Sequence, residues 1–347
     1  MRLAFVTVGD TGRLTGGHLY NRRLLEGLGG KGIEAEVIVP CGAGLRDQAR
    51  AAAVFGGGFD PSRFDAAVVD ALARAVVAPH LDHWRSHLPV VALVHELPGA
   101  ANPPVADREL PFEMPLLRSD RLVAVSGYGR EILLRKGVPD DKVSVVQPGF
   151  DRLAPVERSK RVPGRAARVL CVAQWIPRKG ILELVLAWRE RERFGAVLEL
   201  VGETDADPDY AASIVEAAAD DPSILIHGPV DDAALSKLYA SADLFALPSR
   251  YEGYGMVFAE ALSFGLPILA CRVGPVPEIV GEEAALLVPP ENPDALAGAV
   301  DRLLLDGGLR KKMSTAAACR AENLPRWSDT VDGFLAVLRD AAGESRR

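Results

Sequence analysis

The sequence predicts an α/β protein made of two doubly wound, parallel-sheet domains. Three observations carry this. Short β-branched runs alternate with Ala/Leu-rich stretches along nearly the whole chain, the pattern of strands joined by crossover helices. The runs are almost continuously apolar, as in strands covered by helices on both faces. At 347 residues the chain is also long for one domain, since domains average about 150 residues.

In the first half, strands are expected at 3–8, 33–39, 90–95, 122–126 and 143–147. Pro148-Gly149-Phe150-Asp151 closes that series. The stretch 152–165 is charged, contains Pro155 and Pro163, lacks apolar periodicity and reads as a linker. A second series follows at 168–174, 197–202, 224–228, 244–248, 268–271 and 285–288. Expected domains are therefore 1–152 and 166–324. An amphipathic helix in 325–347, opened by Pro325-Arg326-Trp327, either belongs to the second domain or crosses back onto the first; the sequence favours neither.

Composition narrows the function. Forty Lys+Arg against 47 Asp+Glu give a net charge of -7, a poor basis for nucleic-acid binding, which rests on phosphate neutralisation. No apolar run approaches the ~18 residues of a membrane span, and Met1 to Val6 is too short a start for a signal peptide. The four cysteines are scattered without a CxxC, suggesting neither a disulfide framework nor a zinc site. A cytoplasmic protein is expected, with membrane contact at most peripheral because no basic patch is marked. Oligomeric state is not written in the sequence.

The most informative stretch runs from Leu247 to Leu262. A buried strand ends at Pro248, a glycine-containing turn follows, and a helix is expected to begin near Gly255. Open parallel sheets bind ligands at the carboxyl ends of their strands. Glycines admit a close backbone approach, and free amides at a helix start favour phosphate. Glu252 and Glu260 would stand about 12 Å apart if both were helical. That exceeds the ~5–9.5 Å of a glycosidase carboxylate pair, so they should contact different parts of one long ligand.

With Gly265-Leu266-Pro267 and Pro277-Glu278-Ile279-Val280 behind them, Glu252 and Glu260 resemble the signature of retaining GT-B glycosyltransferases of family GT4, the glycosyl transferases group 1. Further landmarks stand in order: Gly16-Gly17 after the first strand, Val94-His95-Glu96, the Pro148-Gly149-Phe150-Asp151 turn, Pro177-Arg178-Lys179-Gly180 and Gly228-Pro229-Val230-Asp231-Asp232. The resemblance implies a GT-B fold, two Rossmann-like domains facing across a cleft, and metal-independent transfer from a UDP- or GDP-sugar. The acceptor would be a small molecule, a glycan or a lipid-linked hydroxyl.

It also implies roles. Glu260 would bind the ribose hydroxyls, and Gly228 and Val230 would line the nucleobase loop. Glu252 would contact the transferred sugar. Amides of Tyr254, Gly255, Met256 and Val257 would hold sugar hydroxyls and phosphate. Lys179, with Arg178, would neutralise the departing diphosphate. His95 would reach the donor sugar, and Gly16 and Gly17 would admit the phosphates. One position departs from the family pattern: Gln174 stands where an arginine usually precedes the lysine.

Plainer readings accompany these. Acidic residues near a helix start can simply favour its dipole, whereas Lys179 there opposes it and calls for an anion. His95 fits a satisfied core histidine as well as a ligand contact. His80, His83 and His87 share a helical face, but with Trp84 beside them they read as packing. Asp205-Ala206-Asp207 mimics a manganese motif, yet its place before a helix favours N-capping. Two other classes stay open: a catalytically idle nucleotide-sugar-binding subunit, motivated by Gln174, and a GT-B-like sugar-nucleotide epimerase. Gly9-Asp10-Thr11-Gly12 lacks the GxGxxG spacing of a dinucleotide site.

Overall fold

Apolar runs expected to be strands lie in parallel ladders of two separate sheets. The protein is described by a computed structural model covering residues 1–347 apart from 14, 41, 43, 102–104, 155, 157–164, 191–194 and 345–347. The chain divides into two compact units, Met1–Gly149 with Pro325–Arg347, and Phe150–Leu324.

The first unit carries β1 (Arg2–Val6), β2 (Glu34–Ile38), β3 (Ala66–Asp70), β4 (Val90–Val94), β5 (Arg121–Ala124) and β6 (Val143–Val145). They form one sheet in the order β2-β1-β3-β4-β5-β6. β3, β4 and β5 are wholly buried, whereas β2 is a largely exposed edge. β3 is absent from the sequence expectation. Ala66-Ala67-Val68-Val69 runs without a break into Asp70-Ala71-Leu72-Ala73, and Ala-rich sequence carries little strand signal. Its ladders with β1 and β4 decide otherwise.

The terminal helix Trp327–Glu344 belongs to this unit. It buries Phe334 and Leu338 completely. Thr330 Oγ1 donates to the Gln147 carbonyl at 2.8 Å, and Arg121 Nε donates to Asp340 at 2.8 Å.

The second unit carries β7 (Arg168–Val172), β8 (Val197–Val201), β9 (Ile224–Gly228), β10 (Leu244–Leu247), β11 (Ile268–Cys271) and β12 (Ala285–Val288). Their order, β12-β11-β10-β7-β8-β9, is the 3-2-1-4-5-6 order of a dinucleotide-type sheet read from the far edge. The expected linker 152–165 is not featureless where it is described. Leu153 is buried, and Arg165 donates to the Ser241 carbonyl and to Asp243. Pro155 and Pro163 lie outside the described residues. Among the described residues no helix is long and apolar enough to cross a membrane.

Each sheet has one switch point, where successive connections leave in opposite directions and the strand ends open a crevice. In the first unit it lies between β1 and β3, and in the second between β7 and β10.

Candidate active site

In the second unit the loops after β7 and β10 meet at the switch point. Pro177–Lys179 makes one 3-10 turn, and Gly180 turns left-handed (φ 69°) into the helix Ile181–Arg189. A Cβ on Gly180 would stand 2.3 Å from the Pro248 carbonyl oxygen, so only glycine lets the two loops touch. The contact is sewn by the Arg250 amide, which donates to the Arg178 carbonyl at 2.8 Å.

This juxtaposition delivers Lys179 to Glu252. The ammonium donates to Glu252 Oε1 at 2.7 Å, and Arg178 Nη1 lies 3.9 Å from Oε2 while donating to the Tyr251 carbonyl at 3.1 Å. Glu252 is 3% exposed. Burial alone would raise its pKa, but Lys179 and Arg178 outweigh this and hold the carboxyl below its ordinary range. Glu252 is thus a buried carboxylate kept ionised by two cations. Glu252 precedes the helix Met256–Ser263, which begins after left-handed Gly255 and has no side-chain cap. The first amides of that helix have no intrahelical carbonyl to serve. Tyr254 is a buried core side chain, so what it offers a ligand is its backbone.

Glu260, on the same helix, has different partners. Arg152 donates to its Oε1 from Nε at 2.9 Å and from Nη2 at 2.8 Å, and the Tyr239 hydroxyl donates to Oε2 at 3.2 Å. Arg152 also pairs with Asp232. Burial of Glu260 prevails here over the Arg152 charge and lifts the carboxyl above its ordinary range. The family resemblance puts Glu260 at the ribose and Lys179 at the diphosphate, and names no protein partner for either. The structure pairs Lys179 with Glu252 and Glu260 with Arg152. Arg152 was read as the start of a linker, yet its side chain is 7% exposed; Tyr239 was not anticipated either. Nearby, Gly228 ends β9 and Asp231 caps the helix Asp232–Ser241, leaving Val230 half-buried between them.

Gln174, in place of the family's arginine, donates to Glu203 at 3.3 Å. Asp207 accepts from the Tyr210 amide at 3.1 Å and caps the helix Pro208–Ala218. His80 Nε2 donates to the Ala52 carbonyl at 2.7 Å, and the ring stacks near Trp84. Among the described residues no three His, Cys, Asp or Glu side chains gather as metal ligands.

In the first unit the switch point is ringed by the helix Gly16–Gly30, the end of β3 and His95 just beyond β4. Gly16 opens the helix without a side-chain cap. A Cβ on Gly17 would lie 3.4 Å from the His95 ring, so these two expected residues are neighbours. His95 Nε2 is 3.0 Å from Asn21 Oδ1, and its ring meets Tyr20 edge-on. Asn21 and Asp70 were not anticipated: one sits in a helix turn with no motif, the other in the overlooked β3. The loops expected to shape an acceptor site, 10–15 and 97–104, include residues 14 and 102–104, which lie outside the described residues.

Comparison with known proteins follows the same division. The model of glycosyl transferases group 1 matches residues 156–320, and that of glycosyltransferase family 4 matches residues 14–152. A D-inositol 3-phosphate glycosyltransferase of Kineococcus radiotolerans is 31% identical over 297 residues, spanning 75% of this chain and 67% of that protein. The chain belongs to the group 1, family 4 glycosyltransferases. Another D-inositol 3-phosphate glycosyltransferase, of Acidothermus cellulolyticus, is 29% identical over 286 residues; the match covers 75% of this chain and 63% of the relative's length.

Among solved structures, sucrose-phosphate synthase of Thermosynechococcus elongatus superposes with a TM-score of 0.82 at 22% identity, covering 99% of each chain. Anabaena HepE in complex with UDP and glucose gives 0.77 at 18%, covering 98% of this chain and all (100%) of that one. This glycosyltransferase therefore has the GT-B fold, as its motifs imply.

Proposed function

We propose that this glycosyltransferase moves a sugar from a nucleoside-diphosphate-sugar to an acceptor hydroxyl with retention at the anomeric carbon and without a metal ion. The observation that carries the reading is the Lys179–Glu252 pair at 2.7 Å, placed at the sheet's switch point beside an uncapped helix start. A departing diphosphate gains negative charge, and fixed cations and amides aimed at that charge lower the barrier. Lys179 and Arg178 supply the cations, and the amides of Gly255, Met256 and Val257 supply the dipoles. Glu260 accepts the ribose hydroxyls, kept in place by Arg152 and Tyr239, while Gly228 and Val230 border the base. Glu252 receives hydroxyls of the transferred sugar. On the family resemblance we also assign Gly16, Gly17 and His95 to donor binding.

Retention is assigned to attack on the face from which the phosphate departs. The acceptor oxygen bonds to the anomeric carbon as the carbon–phosphate-oxygen bond breaks, and the released phosphate takes the acceptor proton. This suits Glu252, whose ion pair makes it a poor covalent nucleophile. A UDP-sugar is the first donor to test and a GDP-sugar the second; that the Anabaena protein was crystallised with UDP-glucose supports this order. The unpaired Cys171, Cys271 and Cys319 fit a reducing compartment, and the cytoplasm is the proposed site of action.

The test is a donor and acceptor panel read by release of free nucleoside diphosphate and by the anomeric coupling of the product. Retained configuration with activity intact in EDTA is expected. An inverted product or a strict manganese requirement overturns the mechanism, and an isomerised sugar-nucleotide would favour epimerase chemistry.

A further inference from the structure

In the first unit a buried chain of polar groups ends on His95. The Asp70 carboxylate, fully buried at the end of β3, receives Thr7 Oγ1 at 2.8 Å and Asn21 Nδ2 at 2.6 Å on one oxygen, and the Leu72 amide at 2.8 Å on the other. An ionised carboxylate only accepts hydrogen bonds. The amide atom of Asn21 that faces it must therefore be the NH2 group, and Oδ1 is left for the ring. Asn21 is 3% exposed and cannot turn without setting its Oδ1, an acceptor, against the Asp70 carboxylate, another acceptor. The ring nitrogen 3.0 Å from Oδ1, Nε2, must then carry hydrogen. In a neutral imidazole the other nitrogen is then an acceptor.

We propose that Asp70 and Asn21 are positioning residues that lock His95 in the Nε2–H tautomer, so that Nδ1 presents a lone pair to a hydroxyl of the bound sugar donor. This rests on the proposed role of His95 in donor binding and deepens it. Among the described residues Nδ1 has no hydrogen-bond partner, which leaves it for a ligand. A sugar hydroxyl donating to Nδ1 is held more directionally than one meeting a second N–H. Groups facing the ring are Asp70, Glu96, His18 and the edge of Tyr20. Burial holds the imidazole below its ordinary 6.5, against the pull of Asp70 and Glu96, so at neutral pH the ring carries a single proton and a tautomer is defined.

The arrangement makes an unusual demand on substitution. In Asp70→Asn the new amide can donate to Asn21 Oδ1, letting Asn21 turn its NH2 toward the ring and reverse the tautomer at nearly constant shape. The experiment is 15N NMR of the full-length protein labelled at histidine, with His95 assigned by His95→Gln, alongside steady-state transfer. Wild type should show Nε2 protonated and Nδ1 bare. Asp70→Asn should show the reverse, with kcat/KM for the donor reduced about tenfold or more and its pH profile shifted. Thr7→Val, which spares the Asn21–Asp70 bond, should keep the wild-type tautomer. A wild-type Nδ1–H tautomer, or an Asp70→Asn protein with unchanged tautomer, overturns the inference without any assay of turnover. Unchanged transfer in His95→Gln would instead refute the role of His95 in the reaction, leaving the tautomer assignment to stand or fall by its spectrum.

Discussion

Lys179 and Glu252 form the contact on which the proposed chemistry turns, and each holds the other in a buried setting. Breaking a buried pair by removing one partner costs about 3–5 kcal/mol, because the remaining charge is left uncompensated. Lys179→Ala should therefore lower the melting temperature and also slow transfer, by roughly 10²–10³ if the ammonium stabilises the leaving diphosphate as an oxyanion-hole donor does. Acceptor KM should hardly move. Unchanged kcat in a folded variant would remove the electrostatic argument.

The two carboxylates also predict opposite pH behaviour. Glu252 titrates below its ordinary 4.5 in the folded chain, so its ionised form stabilises the fold above that value. This contribution fades as pH falls through the folded pKa. Glu260 titrates above 4.5 when folded, so it costs stability above that range and the cost is relieved by acid. Thermal melts from neutral pH down to about pH 3, below the ordinary Glu value, should show Glu252→Gln least stable relative to wild type at neutral pH, the gap closing only below the ordinary value. Glu260→Gln should drift the other way. Parallel curves for the two variants would contradict the assigned environments.

At this scale motif spacing singles out Lys179, Glu252, Gly17 and His95, and the structure sets Lys179 against Glu252 and Gly17 beside His95. Arg152, Tyr239, Asn21 and Asp70 were not legible. Arg152 reaches Glu260 across 108 positions and Asn21 reaches Asp70 across 49, and no local pattern encodes such distances.

Elements were easier to read than their edges. Sheet strands lie close to the expected spans, but several expectations overran. The residues after the last ladder pair, such as Thr7-Val8, His95 and Ala173-Gln174, remain apolar or β-prone while forming the loops that carry the site. β3 was missed for a different reason: two alanines open its short run, alanine is depleted in strands, and only its ladders with β1 and β4 define it. Gly180 shows how one such loop is specified. Replacing it by Ala places a Cβ 2.3 Å from a backbone oxygen at a left-handed φ of 69°. Left-handed backbone alone costs about 1–2 kcal/mol for an L-residue, and the clash must also push the loops apart. Gly180→Ala should melt earlier by more than that strain alone and lose donor affinity, because Lys179 is displaced from Glu252. Calorimetry and nucleotide titration check it, and wild-type affinity for UDP in the variant would show that the loop contact does not set the site.

The two units pose a question of independence. The first is completed by residues from the far end of the chain, since the terminal helix buries Val331, Phe334, Leu335, Leu338 and Ala341 against it. Gly27 has no side chain where Val331 docks, and a Cβ there would come within 2.2 Å of Val331 Cγ2; Gly149 is likewise closed in by the Trp327 backbone at 2.2 Å. This explains glycines that the sequence offered only as poor helix formers and turn residues. The second unit, by contrast, is continuous and holds Lys179, Glu252, Arg152 and Glu260 entirely within Phe150–Leu324. Ending the chain after Leu324 should therefore strip apolar cover from the first unit while leaving the proposed nucleoside site whole. Fully burying one large apolar side chain is worth about 1.5–3 kcal/mol, and losing several exceeds the whole stability of about 5–15 kcal/mol available to a domain. The shortened chain should show early protease cleavage confined to residues 1–149 and a surviving transition that UDP still raises. A ligand at 100 times its Kd adds about 2.7 kcal/mol to the unit that binds it. If UDP no longer shifts any transition, residues of the first unit contribute to nucleotide binding as strongly as the carboxylate and lysine of the second.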